Sequence, residues 1–207
     1  TAPKKAESVD VHGIITAPGD GVVKVYKNAG SGYYVSNQQA YKTAQSGTTQ
    51  IVECEDGTVY FKDIVSTGSY GVWVKGTKVG NTITVPTKQP VAYSSDYGAT
   101  ISVRWGAHSG QNVVAADNTA DNFTFVVDDV AGTISLQGTS EDLFMATLWD
   151  DDDSWTGYGV YETVYTYDHD YVAPTTVTVT PPAGLETETW YASGHTYSQS
   201  AGQVAFE

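Results

Sequence analysis

Four consecutive carboxylates, Asp150-Asp151-Asp152-Asp153, stand between Trp149 and Trp155 and offer the most pointed chemistry in the chain. A hard cation such as calcium takes about six to eight oxygen ligands, which a loop of carboxylates and carbonyls can supply. Successive side chains on a strand point to opposite faces, so four neighbours converge only where a tight loop gathers them. The alternate-position acids, central Gly and terminal Glu of an EF-hand loop are missing here. Asp150, Asp151, Asp152 and Asp153 therefore read either as a solvated acidic turn or as a calcium site. Calcium is the one cofactor the residues put forward. Asp128-Asp129 reads as a hairpin turn.

The second available chemistry is stacking. Trp155, Tyr158 and Tyr161, with Trp149 behind them, lie near the acidic run. Together they make a candidate platform for a pyranose face, with neighbouring acids to bond sugar hydroxyls. Trp73, Trp105 and Trp149 also read as core or cross-strand pair residues, and for Trp73 and Trp105 that is the expectation. Trp155, flanked by Ser154 and Thr156-Gly157, reads as exposed or buried with equal ease.

Hydrolysis of a glycoside needs two carboxylates facing each other across a cleft. With 24 Asp and Glu and none in a distinctive motif, the sequence selects no such pair. His12, His108, His169 and His195 are scattered without metal-ligand spacing, and Asp168-His169-Asp170 reads as a solvated loop. The GxSxG, P-loop and GxGxxG patterns are absent, so no catalytic residue is assigned. The single Cys54 lies in an alternating run beside Glu53 and Glu55, which disfavour a thiolate; it reads as a small buried apolar residue.

Charge narrows the partners. Through Arg104 there are ten Lys and Arg against eight Asp and Glu; beyond it there are sixteen acids and no Lys or Arg. Phosphate backbones need a basic footprint, which excludes nucleic acid as a natural partner, and anionic membrane surfaces are disfavoured likewise. No apolar run approaches the roughly 18 residues of a membrane-spanning helix.

The elements that must position these residues are strands. In Thr58–Val85 (TVYFKDIVSTGSYGVWVKGTKVGNTITV) three runs rich in β-branched and aromatic residues are separated by Thr67-Gly68-Ser69 and Gly80-Asn81, an antiparallel meander with a hairpin signal. Further strand-like runs are Val22–Tyr26, Tyr33–Val35, Thr48–Cys54, Thr100–Trp105, Phe123–Val127, Thr133–Leu136 and Tyr158–Tyr167. Ile101, Val103 and Trp105 share one face. Ser36–Gly47 reads as a loop or short helix around Gln38–Tyr41, and Ala107–Asp121 as a polar loop. Leu143–Trp149 fits a strand or a helical turn capped by Ser140. Pro86 and Pro90 fit an edge or a crossing. The fold class is all-β, an antiparallel meander forming a β-sandwich or barrel with little or no helix. Residues 1–10 read as a flexible leader, 11–171 as the main domain, and 172–207 as the start of a second copy or appended strands. The last follows from aligning Ile15–Tyr33 with Val179–Tyr197, a period of about 160 residues in which Thr16, Pro18, Gly30 and Tyr33 meet Thr180, Pro182, Gly194 and Tyr197.

The meander, with Val59, Tyr60, Trp73, Lys75, Gly76, Thr77, Gly80, Asn81, Thr84 and Pro86, resembles a recurring segment of exported, often lipid-anchored β-rich proteins of Bacteroidetes-type gut bacteria. Ser154–Thr166 and Val179–Trp190 resemble further phrases of that group. This chain has Val160 where the group would have an acid, and Asp63 where it usually has Gly. The resemblance implies an exported, surface-located, repeat-forming domain of unassigned role and carries over no catalytic residue. The expectation is a non-catalytic surface module for binding or adhesion, with glycan as the ligand class. The alternatives are a glycoside-active enzyme or its accessory domain, and a structural spacer.

Overall fold

The computed structural model describes residues 4–117 and 120–175, and residues 190–192, 195–200 and 203–206 as backbone. Among the described residues every regular element is a strand. In chain order these are β1 (Ser8–Val9), β2 (Ile15–Ala17), β3 (Val22–Ser36), β4 (Gln39–Ala44), β5 (Thr48–Glu53) and β6 (Thr58–Lys62). There follow β7 (Trp73–Val79), β8 (Thr82–Pro86), β9 (Gln89–Ser94), β10 (Ala99–Ser109), β11 (Asn112–Ala115) and β12 (Asn122–Asp128). Then come β13 (Thr133–Leu136), β14 (Leu143–Trp149), β15 (Trp155–Asp170), β16 (Trp190–Ala192), β17 (His195–Ser200) and β18 (Gln203–Phe206). The chain divides into two compact units, Thr1–Tyr171 and Val172–Glu207.

In the first unit all pairings are antiparallel, and eight strands close on themselves in the order β3-β5-β6-β7-β8-β12-β13-β15 and back to β3. Closure follows from alternation. One face of each strand carries Tyr26, Ile51, Phe61, Val74, Ile83, Phe125, Ile134 or Tyr165, all buried in one core cluster. The other face carries residues such as Lys75, Thr77, Thr84 and Thr124. Phe61, Phe125 and Tyr165 stack across the lumen at centroid distances of 4.9 to 6.1 Å, so the interior is filled by side chains. An apolar lumen inside a Thr- and Lys-bearing wall is the reverse of a membrane-spanning barrel, whose apolar band faces outward.

Two strands are too long for the barrel alone. β3 and β15 pair along nearly their whole length, and midway both change their other neighbour. β3 passes from β5 to β4, and β15 from β14 to β13. The outer halves therefore belong to a second sheet, β4-β3-β15-β14-β10, to whose β10 the strands β9 and β11 add. The switch is a bulge: Glu162 and Thr163 stand opposite Gly30, between the pairs Tyr161↔Ser31 and Val164↔Ala29. Gly30 has φ 116°, and a Cβ there would lie 2.5 Å from the Glu162 carbonyl oxygen. Gln45 plugs the bulge: its Nε2 donates to the Ser31 carbonyl (2.9 Å) and to Thr163 Oγ1 (2.8 Å), while Ser66 donates to its Oε1 (3.0 Å). One face of the second sheet, with Ile101, Val103, Trp105 and Met145, continues the barrel core.

Several expectations change. Ser36–Gly47 is neither loop nor helix but a hairpin, turned at Asn37 and Gln38, both at positive φ, into the exposed edge strand β4. An edge strand wetted on both sides carries no apolar alternation, so nothing in QAYKTA announced it. Ala107–Asp121 likewise contains a hairpin, β10 to β11 around Gly110. Leu143–Trp149 is a strand. Pro86 ends β8, and Pro90 lies in β9, which pairs with β10 alone. Residues 4–10 of the leader are laid against the barrel: Glu7 accepts from Tyr60 and Lys75, and β1 pairs with β2. Asp63, where the resemblance would have Gly, adopts φ 47°, the left-handed region Gly favours, and its Oδ1 caps the amides of Tyr70 and Gly71. Val160 is fully buried.

The second unit is a three-stranded antiparallel meander, β16-β17-β18. Trp190 pairs with Tyr197 across two strands, whereas Tyr26 and Tyr33, their counterparts in the repeat alignment, follow one another along β3. Residues 179–189 and 193–194 of that alignment, Gly194 among them, lie outside the described residues.

Candidate functional site

The acidic run is the turn between β14 and β15, and its four carboxylates do not share a target. The Asp150 amide donates to the Thr100 carbonyl, and Asp150 Oδ2 accepts from the Thr100 and Ser102 hydroxyls on β10. Asp153, in the left-handed region at φ 60°, turns back so that its Oδ1 meets Arg104 Nη1 at 2.7 Å. Asp151 and Asp152 are left facing solvent. Asp152 Oδ1 accepts the Ser154 amide at 2.9 Å, and hydrogen bonding from Ser154 holds this carboxyl below the usual carboxylate range. Among the described residues no three His, Cys, Asp or Glu are grouped as metal ligands.

Arg104 anchors the turn. The residue is 6% exposed, with Nε and Nη2 donating to Asp117 Oδ2 and Nη1 reaching the Trp149 carbonyl at 3.4 Å. Burial opposes its charge, but the hydrogen bonds to Asp117 and Asp153 outweigh that and raise its pKa further. The sequence did not single it out, although it is the last basic residue before the wholly acidic half.

Above the turn lies an open cleft of about 280 Å³, lined by Tyr97, Trp149, Asp151, Asp152 and Ser154. Tyr97 belongs to the β9–β10 turn and is 75% exposed. Its ring meets Trp149 edge-on at 5.3 Å and 68°. Trp149 is itself partly buried and packs on the main core, which fixes the corner.

Trp149 is thus the one member of the expected aromatic set in this cleft. Alternation separates the others. Tyr158 packs on the main core over Gly68. Trp155 and Tyr161 point to the opposite face of the second sheet, around a buried cluster of Tyr33, Phe144 and Leu148. There Tyr33 Oη donates to the Glu141 carbonyl and lies 3.0 Å from His108 Nε2, and Trp155 Nε1 donates to the Tyr158 carbonyl at 2.8 Å. Burial raises the Tyr33 pKa well above the ordinary phenol value. Those rings pack against each other, Tyr33 meeting Phe144, Trp155 and Tyr161 at centroid distances of 5.0 to 5.8 Å. Trp73 is buried under the strap of β2, and Trp105 lies in the core against Phe123.

A second cleft, about 260 Å³, opens at the barrel end among Lys24, Tyr26, Glu53, Lys78, Asp128, Asp129 and Tyr167. Its charges are largely committed: Lys78 pairs with Glu53 at 3.1 Å, and Asp128 Oδ1 caps the Val130 and Ala131 amides. Lys24 Nζ lies 5.7 Å from the Tyr167 ring centroid. A general acid for glycoside cleavage needs a carboxyl raised toward neutrality. The carboxyl shifts resolved, at Glu7, Glu55, Asp56, Asp152 and Asp168, all run downward.

No family model matches the chain, and neither a curated protein nor a solved structure matches it.

Proposed function

We propose that the chain is a non-catalytic binding module of an exported, surface-located protein, and that its ligand is a glycan. One observation carries this reading: the Tyr97–Trp149 corner, held over Asp151, Asp152 and Ser154 in a cleft open to solvent. A sugar ring presents an apolar face to an aromatic wall while its hydroxyls need acceptors beside it, and this cleft supplies both. The turn beneath is fixed by Arg104, Thr100 and Ser102, so ordering it costs little on binding. Export and surface location rest on the resemblance of the meander to exported gut-bacterial proteins.

The test is a glycan array followed by titration of intrinsic tryptophan fluorescence. A hit whose affinity falls about fivefold in Tyr97→Ala supports the reading, since a stacked ring contributes on the order of 1 kcal/mol. Tyr97 is exposed, so this variant leaves the core intact. An array without a hit removes the glycan assignment.

A further inference from the structure

We infer that the ligand of the Tyr97–Trp149 cleft carries a protonated amine, as an unacylated hexosamine does; this rests on the glycan reading above. The walls are two aromatic rings and the polar lining is Asp151, Asp152 and the Ser154 hydroxyl. Among the described residues no Lys or Arg side chain lines the cleft. An acidic sugar would therefore meet two carboxylates without a compensating cation. A neutral or N-acylated sugar would leave both charges without a counterpart.

The surroundings deepen the bias. Asp117, Asp150 and Asp153 surround the Arg104 guanidinium at 2.5, 3.8 and 2.7 Å, while Asp151 and Asp152 line the cleft. Arg104 is spent on the inner side, bound to Asp117, Asp153 and the Trp149 carbonyl. Asp150 and Asp153 are engaged by Thr100, Ser102 and Arg104, whereas Asp151 and Asp152 line the cleft, and the Ser154 amide donates to the Asp152 carboxylate. An ammonium group between these carboxylates and the face of an aromatic ring is attracted by both.

The experiment compares three oligosaccharides of equal length by tryptophan-fluorescence titration: a glucosamine oligomer, its N-acetylated form and a uronic acid oligomer. The expected order is amine, then N-acetylated, then uronic acid. The first gap is about tenfold at low salt and shrinks as ionic strength rises. Asp151→Asn/Asp152→Asn should abolish that gap, the glucosamine oligomer losing more affinity than the N-acetylated one. Glu55→Gln/Glu141→Gln, an equal change of net charge elsewhere, should leave the gap in place. Equal or tighter binding of the N-acetylated oligomer overturns the amine inference and leaves the glycan reading standing. So does a preference that survives the Asp151/Asp152 variant, or one that vanishes equally in the Glu55/Glu141 variant. Binding of none of the three, with no hit on the array, overturns both.

Discussion

Arg104 shows why a charged side chain inside a sheet protein is kept. Its guanidinium is desolvated and owes its place to Asp117 and Asp153. Arg104→Met should cost roughly 3 kcal/mol in denaturant unfolding, because it strands the mostly buried Asp117 carboxylate. Adding Asp117→Leu should recover part of the loss, a non-additivity that a double-mutant cycle reads directly. Cys54 is a second test at this scale. It packs beside the cluster of Ile15, Val52, Tyr60 and Trp73, and burial, then Asp56 and Asp20, push its thiol pKa up. Alkylation of native protein near pH 8 should run several-fold slower than in denaturant, since the thiolate is the reacting form. A native rate equal to the unfolded rate would contradict that. The acidic run was legible as the place to look, but not the division of labour within it. Which carboxylates are engaged depends on Thr100, Ser102 and Arg104, some fifty residues away.

Among the elements, the β3/β15 ribbon with its bulge decides the architecture. Gln45→Leu keeps most of the volume but leaves the Ser31 carbonyl and the Thr163 and Ser66 hydroxyls without this partner. A loss of about 2 kcal/mol is expected. Gly30→Ala should cost at least as much, since its Cβ would sit 2.5 Å from the Glu162 carbonyl oxygen at a φ of 116°. In both variants amide hydrogen exchange should accelerate first at Ser31 and Tyr161, where the register breaks, ahead of Phe61 and Phe125 in the barrel. Uniform acceleration would argue against a local role for the bulge. The strands with one buried face were readable: β6, β8, β12 and β13 lie close to their apolar alternation, and Gly80-Asn81 makes the two-residue turn between Val79 and Thr82. The exposed strands β4 and β11 were not, because alternation is written only where one face is dry.

The whole molecule answers to alkali through its tyrosines. Burial, then Glu53, Tyr167 and Asp129, push the Tyr26 pKa up to about 12, and burial likewise raises Tyr33, Tyr60 and Tyr165. A phenol whose folded pKa exceeds its unfolded value near 10 binds its proton more tightly in the native state. Its contribution to stability is complete below pH about 10 and falls as pH rises toward about 12. Denaturant midpoints should therefore decline across that window, with late phenolate absorbance appearing together with unfolding. A flat midpoint would refute the burial of these rings. At this scale the sequence by itself determined an all-β, antiparallel class, the apolar faces and the acidic half, because these follow from local periodicity and composition. Only the tertiary structure decided that eight strands close into a barrel with a second sheet continuing from β3 and β15. It alone split Trp149 from Trp155, Tyr158 and Tyr161 and brought Tyr97 to Trp149. Those outcomes are set by long-range register and by a single bulge, where one extra residue changes the neighbours of everything beyond it, and no local pattern records it.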